Sequence, residues 1–495
     1  FAKGSSVQQV LADWKPTIDR IGDKWPTLLE FENDLAKKVG PLSIQKPLSE
    51  RMDDIESYYE LIKLDSKPID QKAIAAVLGE WGSARGLRMR DQKRTVENMK
   101  LSTNSGSPYF SKRRAVVDKC YPVFPEFQHD GVSPSMIMHM PDGDWEPAAV
   151  LGWRGQEGGP TEDDVKQRVV WMFPFSLNIL ELQVYQPLIE AAQHLDLVPA
   201  WVGLEAVDRR VTRLFDTKGE KDLIICTDFS KFDQHFNAHM QEAAKSILAG
   251  ILEPIQIHRA WLDNVFPVKY DIPLVYAWDK VRTGKHGMGS GSGGTNADET
   301  LAHRALQYEA ALAANQRLNP NSMCLGDDGI LTYPGITSED VMHSYTAHGL
   351  EMNPDKQSAS TQDCTYLRRW HHKDYRLDGV CVGVYSTYRA LGRLCEQERY
   401  YDPDRWGKEM VALRQLSIIE NCKYHPLKEE FVSFCMKRDK YRLGLDIPGF
   451  LDRIDRFARE ATEYMPDFLG YTKSLEHEAS YKSRSYGISD WWIVK

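Results

Sequence analysis

Residues 323–331 read MCLGDDGIL: an apolar run, a glycine, two adjacent aspartates, a second glycine and a second apolar run. Two short apolar runs about a tight polar centre are the pattern of strand, turn, strand, a hairpin that carries Asp327 and Asp328 at its tip. Carboxylates pinched together in this way raise each other's cost of ionisation unless something positive lies between them. The stretch therefore asks for a cation. An isolated Gly-Asp-Asp is more often a solvated turn, so its weight depends on its companions.

Two companions precede it. In DLIICTDFSKFDQHF (222–236) a β-favouring run from Leu223 to Cys226 ends at Asp228, after which the period becomes helical to about Leu252. A carboxylate just past a strand end is a frequent position for a functional side chain. In GMGSGSGGTNADETLAHRALQYEAALAANQ (287–316) a glycine loop leads into a helix with Ala297, Leu301 and Ala305 on one face. SEDVMHSYTAHGL (338–350) reads as a further helix on the same sheet. Two strand ends that each deliver carboxylates can hold two divalent ions for in-line phosphoryl transfer, and Mg2+ or Mn2+ suits such an all-oxygen donor set.

In this order, DFSKFD (228–233), SGSGGTN (290–296) and GDD (326–328) resemble the three palm motifs of the viral RNA-dependent RNA polymerases. Among these the chain is most similar to the small polymerases of picobirnaviruses and the related partitiviruses. The resemblance implies an α+β right-hand fold of fingers, palm and thumb, with an antiparallel-sheet palm and an N-terminal helical arm bridging fingers and thumb. The expected divisions are an arm at 1–75, fingers at 76–205 with an insertion at 251–284, palm at 206–250 and 285–385, and thumb with tail at 386–495. Asp228 and Asp327 are then the principal ligands of two Mg2+ or Mn2+ ions, with Asp328 assisting. Asp233 and Asn296 form the pair that reads the incoming ribose, helped by Ser290 or Thr295. That role has a physical basis, because a 2′-hydroxyl both donates and accepts. The Gly289–Gly294 loop is expected to be mobile.

Looser matches extend the resemblance. KQRVVW (166–171) is similar to the basic fingers motif, which implies triphosphate contacts from Lys166 and Arg168. TNSGSPYF (103–110) resembles the loop that guides template, with Thr103, Ser105 and Gly106 as candidates. Lys356 stands where a lysine that protonates departing pyrophosphate is expected. YLRRW with VGVYSTYRALGRL (366–394) resembles the hairpin joining palm to thumb, with Arg389 as a candidate phosphate contact. Trp491 and Trp492 near the end could support the first base pair of primer-free synthesis, although a terminal aromatic pair more often docks a tail.

The remaining chain bounds these readings. A formal charge of -9 argues against an all-over basic coat for nucleic acid, while leaving room for a locally basic channel. Residues 5–40 and 49–64 show helical spacing and read as a structural arm, whereas 100–160 reads as surface loops rich in Gly, Ser and Pro. Eight scattered cysteines without a CxxC pair suggest reduced thiols in a cytosol-like compartment. A zinc site drawn from Cys364, His371, His372 and Cys381 fits no common spacing. No apolar run approaches the ~20 residues of a membrane span, and no signal peptide is visible. The resemblance further implies template and product RNA and NTPs as partners, a viral capsid protein, a monomer, and a location inside the virion and in host cytoplasm during infection. Two other readings are open: another metal-dependent nucleotidyl- or glycosyltransferase, and a noncatalytic, polymerase-like RNA-binding protein. The first leaves the Gly/Ser loop and the K-x-R motif unexplained, and the second predicts loss of a metal aspartate.

Overall fold

Met323–Leu325 and Asp328–Leu331 pair antiparallel, with Asp328 opposite Leu325, so only Gly326 and Asp327 form the turn. Gly326 lies at φ +57°, a conformation that glycine adopts without a side-chain clash and that a two-residue hairpin uses at this position. The chain is described here by a computed structural model covering residues 1–42, 44–129, 134–397, 407–464 and 488–495.

On the other side of Asp328–Leu331 lies Ile224–Thr227, antiparallel, with Gly329 opposite Thr227. Ser358–Ser360 adds the fourth strand, outside Ile224–Thr227. Strands of one apolar type on both faces mark a sheet covered on both sides, and Ile224, Ile225, Ile330 and Leu331 are all buried. Helix Thr295–Ala313 packs on this sheet through the predicted stripe, Ala297, Leu301 and Ala305. Helix Ser338–Thr346 packs against it in turn, and its Tyr345 stacks on Phe229.

Residues 100–160 depart from the expected loops. They hold the helix Arg113–Cys120 and the antiparallel strands Phe124–His129, Pro134–Met140 and Gly143–Trp145. Alternation was present in Met136, Met138 and Met140, all buried, but methionine is a weak strand former and the surrounding glycines and prolines masked it. The last strand of this stretch, Ala149–Gln156, joins Lys166–Met172 on one side and Leu274–Ala277 on the other, with Lys280–Arg282 at the edge. Segment 251–284 thus returns to the sheet begun more than a hundred residues earlier.

Two hydrophobic cores result. One surrounds the central sheet, and the other gathers the C-terminal helices Lys408–Glu420, Lys428–Arg438 and Ile454–Tyr464 with the strands around Trp370 and Val384. The N-terminal residues supply both: Val10, Trp14, Ile18 and Leu28 enter the second core, while Ile55, Tyr58 and Ile74 enter the first. Glu32, fully buried, accepts hydrogen bonds from the Ser386 hydroxyl at 2.6 Å and the Thr387 amide at 2.9 Å, and pairs with His425 at 2.8 Å. Between the residues that enter the two cores, the segment 44–46 is tied to strand Lys166–Met172, where the Gln167 side chain accepts from the Lys46 amide and donates to the Ile44 carbonyl.

The C-terminal tail docks on the second core: the Trp492 and Ile493 amides donate to the Glu420 carboxylate at 3.2 and 2.8 Å, and Trp491 packs against the core. All eight cysteines are free thiols. Among the described residues no helix is long and apolar enough to cross a membrane.

Candidate active site

Strand register builds the site. Extending the pairing of Gly329 with Thr227 by one residue sets Asp328 opposite Asp228, with Asp327 beside them on the turn. The Asp228 backbone is held from the far side by Gln357, whose side chain accepts from its N–H and donates to its C=O, both at 2.8 Å. One oxygen of Asp328 accepts the Leu367 amide at 2.8 Å from the turn between Asp363–Tyr366 and Arg369–His372.

All three carboxyls are harder to ionise than usual. Burial raises Asp228 against the fields of Lys356, Lys38 and Lys166. Asp327 is reached by solvent, yet enough protein surrounds the hairpin tip to raise it, and Asp233 and Asp228 add to the effect. Asp328 is pushed up to about 7 by burial and by Asp327. Carboxylates under mutual strain of this sort are relieved by a cation, and a donor set of carboxylate oxygens suits Mg2+ or Mn2+. As they stand, no three metal-ligating side chains among the described residues converge on one point. The Cys364, His371, His372 and Cys381 group forms no such cluster either, and a His371 ring nitrogen is engaged by the Cys381 carbonyl at 3.0 Å.

Around the aspartates lie cations from distant segments. Lys356, in the short turn Pro354–Lys356, is exposed and exerts the strongest favourable field on Asp228. Lys166 is exposed at the start of its strand and also acts on Asp228. Lys38, from the N-terminal arm, was invisible to motif reading, because nothing in its local sequence marks it. Arg168 is placed differently from a simple phosphate contact: its guanidinium pairs with Asp233 at 3.1 Å while half of its side chain stays exposed.

Asp233 and Asn296, the expected ribose-reading pair, are carried on different elements, the short helix Phe232–His235 and the helix Thr295–Ala313. Asn296 turns to Trp201, accepting its indole N–H at 2.8 Å, and with Thr300 and His303 lies on the helix face that holds the Gly326 turn. Burial, and after it the field of Asp233, pushes Glu299, three residues beyond Asn296, well above the ordinary carboxylate range, while Asp233 itself pairs with Arg168. Ser290 and Thr295 are likewise committed within the fold. The Ser290 hydroxyl accepts the Trp171 amide at 3.1 Å, and Thr295 donates to the Gly289 and Ser292 carbonyls at 3.2 and 3.3 Å.

The Gly289–Gly294 loop is packed in this conformation. Buried Glu181 takes the Ser292 hydroxyl and the Gly293 amide, and Asn178 donates to the Gly291 carbonyl. A β-carbon on Gly291 would stand 1.7 Å from the Trp171 carbonyl oxygen, so glycine here serves close approach as well as freedom.

Three weaker candidates are corrected. Ser105 and Gly106 are buried: the Ser105 amide donates to the Ser111 carbonyl, its hydroxyl accepts the Ser111 amide, and Gly106 abuts the Phe173 carbonyl, leaving Thr103 as the exposed one of the three. Arg389 is 4% exposed and bound to Glu157 at 3.0 Å, joining the helix Thr387–Cys395 to the end of strand Ala149–Gln156 rather than facing a phosphate.

A sequence model described as viral RNA-dependent RNA polymerase matches residues 153–379. A protein of a human picobirnavirus named as a potential RNA-dependent RNA polymerase is 62% identical over 496 aligned residues, covering 100% of this chain and 92% of its own length. The crystal structure of the RNA-dependent RNA polymerase of a human picobirnavirus superposes with a TM-score of 0.93 at 60% identity, over 100% of this chain and 92% of that one. An insertion-loop deletion mutant of such a polymerase gives 0.92 at 59% identity, over 100% and 91%.

Proposed function

Because the chain belongs to the viral RNA-dependent RNA polymerases, with the right-hand fold of that family, we propose that it replicates and transcribes a double-stranded RNA virus genome by two-metal-ion transfer of nucleotides from NTPs to the 3′-OH of growing RNA. The observation that carries this reading is the meeting of Asp228, Asp327 and Asp328 on adjacent strand ends, with every carboxyl raised by burial.

Asp228 and Asp327 are the residues that hold the ions, with Asp328 supporting. When bound, the ions make the attacking hydroxyl more acidic and offset the charge of the leaving pyrophosphate. Lys166 and Lys38 draw the triphosphate toward this corner by their charge. Lys356 gives its proton to the departing pyrophosphate, and Arg168 orients Asp233 through their ion pair. The proposed partition is an arm at 1–75, fingers at 76–205 and 251–284, palm at 206–250 and 285–385, and thumb at 386–495; the two cores and the returning segment support it. Work as a monomer inside the virion beside capsid protein, and in host cytoplasm during infection, belongs to the same proposal and rests on the likeness to picobirnavirus polymerases.

The test incubates the purified protein with single-stranded RNA, four NTPs and Mg2+ or Mn2+. Full-length labelled product is expected from the native chain and none from the Asp327→Ala/Asp328→Ala double variant; equal product from both overturns the assignment. Two narrower results are expected in the same assay. Lys356→Leu should slow the chemical step about a hundred-fold in single-turnover measurements, and an unchanged step removes the proton-donor role. Asp233→Ala should cut the preference for NTPs over dNTPs about ten-fold or more, since the pocket loses a partner for the 2′-hydroxyl. Unchanged selectivity would take Asp233 out of sugar recognition.

A further inference from the structure

Helix Thr295–Ala313 meets the hairpin tip with two buried side chains one turn apart, and they take both polar backbone groups of Gly326. The Gly326 N–H donates to the Thr300 hydroxyl at 2.9 Å, and the Gly326 carbonyl pairs with His303 Nδ1 at 2.8 Å. A carbonyl oxygen can only accept, so Nδ1 carries the ring proton. Burial brings the pKa of His303 down to about 4, which keeps the ring neutral, and Nε2 has no hydrogen-bond partner. Phe229, Phe232 and Tyr345 surround the imidazole, their ring centres 5.4 to 6.1 Å from its own. Phe229 directly follows Asp228, so one ring packs against the strand end that carries the first aspartate and bonds to the residue before the second. A β-carbon on Gly329 would stand 2.7 Å from His303 Cε1, and the second glycine of the hairpin thus makes room for the ring.

A tip of this kind needs holding. Glycine has the widest backbone freedom of any residue, and Asp327, next in the chain, lies in the repelling fields of Asp233 and Asp228. We propose that Thr300 and His303 are positioning residues of the metal centre, fixing the peptide planes on either side of Gly326 so that the Asp327 carboxylate keeps the separation from Asp228 that two divalent ions require. The inference rests on the polymerase reading of this site and extends it from the ligands to the helix beneath them. Groups that orient metal ligands are typically worth about 10- to 100-fold in metal affinity or activity.

The experiment compares the native full chain with His303→Phe, His303→Asn, Thr300→Val and Thr300→Ser. Mn2+ binding is titrated through the electron paramagnetic resonance of the free ion, with Asp327→Asn marking the share that belongs to this centre, and RNA-templated incorporation is followed against Mg2+ concentration. Absence of incorporation by the native chain overturns the polymerase reading, and the Mn2+ titration still judges the clamp. His303→Phe, which keeps a ring and loses the donor, should weaken Mn2+ binding at the centre about ten-fold and raise the half-activating Mg2+ concentration by a similar factor. Thr300→Val, which loses the acceptor, should do the same. His303→Asn, whose amide N–H lies where Nδ1 does along the side chain, and Thr300→Ser should stay within about three-fold of native. A merely structural role would lower the melting temperature and the active fraction while leaving the metal affinity where it was. Unchanged Mn2+ affinity in His303→Phe overturns the proposal. So does a loss in His303→Asn equal to that in His303→Phe, since ring volume and not the donated proton would then decide. Should His303→Phe fail to fold, Thr300→Val supplies the same measurement, and an unchanged value there overturns the proposal equally.

Discussion

Asparagine at position 327 is expected to lower RNA-templated incorporation by at least about a thousand-fold, with Asp228→Asn close behind, because each removes a negative oxygen from the one corner where strand ends bring carboxylates together. Asp328→Asn should lose less, about ten- to a hundred-fold, since an amide oxygen can still accept the Leu367 N–H. Stability moves the other way. All three carboxyls are raised first by burial, and each asparagine removes a buried charge that disfavours the fold in the absence of ions. Without added metal, each variant should therefore melt at or above the native temperature. The comparison needs both readouts: activity lost together with melting temperature would mean that unfolding, not chemistry, had been measured. Native-like incorporation by Asp327→Asn would remove that residue from the centre.

The second large effect is on the fold. Glu32→Leu should destabilise the protein by about 3 to 5 kcal/mol, because it leaves His425, the Thr387 amide and two hydroxyls without the acceptor they share. Glu32→Gln, which retains a carbonyl oxygen, should lose less. Denaturant titration followed by tryptophan fluorescence reads the change, since Trp14 and Trp370 lie in the same core. Burial would raise the Glu32 carboxyl, but the hydrogen bonds and charge of His425, with Ser386 and Thr387, outweigh it and bring it below its ordinary value of 4.5. A carboxyl depressed in the fold stabilises above its unfolded pKa, and that contribution is lost as the pH falls through the folded value. The gap between native and Glu32→Leu should accordingly be full near neutrality and narrow below about pH 4.5. A midpoint unchanged by Glu32→Leu would show that the arm is not anchored through this residue.

What the sequence determined by itself was what neighbouring residues dictate. Two short apolar runs around Gly326 set the hairpin, the switch of period after Asp228 set a strand end, and the spacing of Ala297, Leu301 and Ala305 set the buried helix face. Those patterns follow from backbone geometry over a few residues, so the palm strands and the aspartates they carry are legible in the order of residues alone. The tertiary structure alone decided which side chains meet. Asn296 and Glu299 stand three positions apart on one helix, yet packing gave the first the Trp201 N–H and set the second beside the field of Asp233. Likewise Glu157 claimed Arg389, and Lys38 came to the catalytic corner from an arm nearly two hundred residues before Asp228. No local period records such a partner, because the contact is made by the arrangement of whole elements and not by the residues on either side.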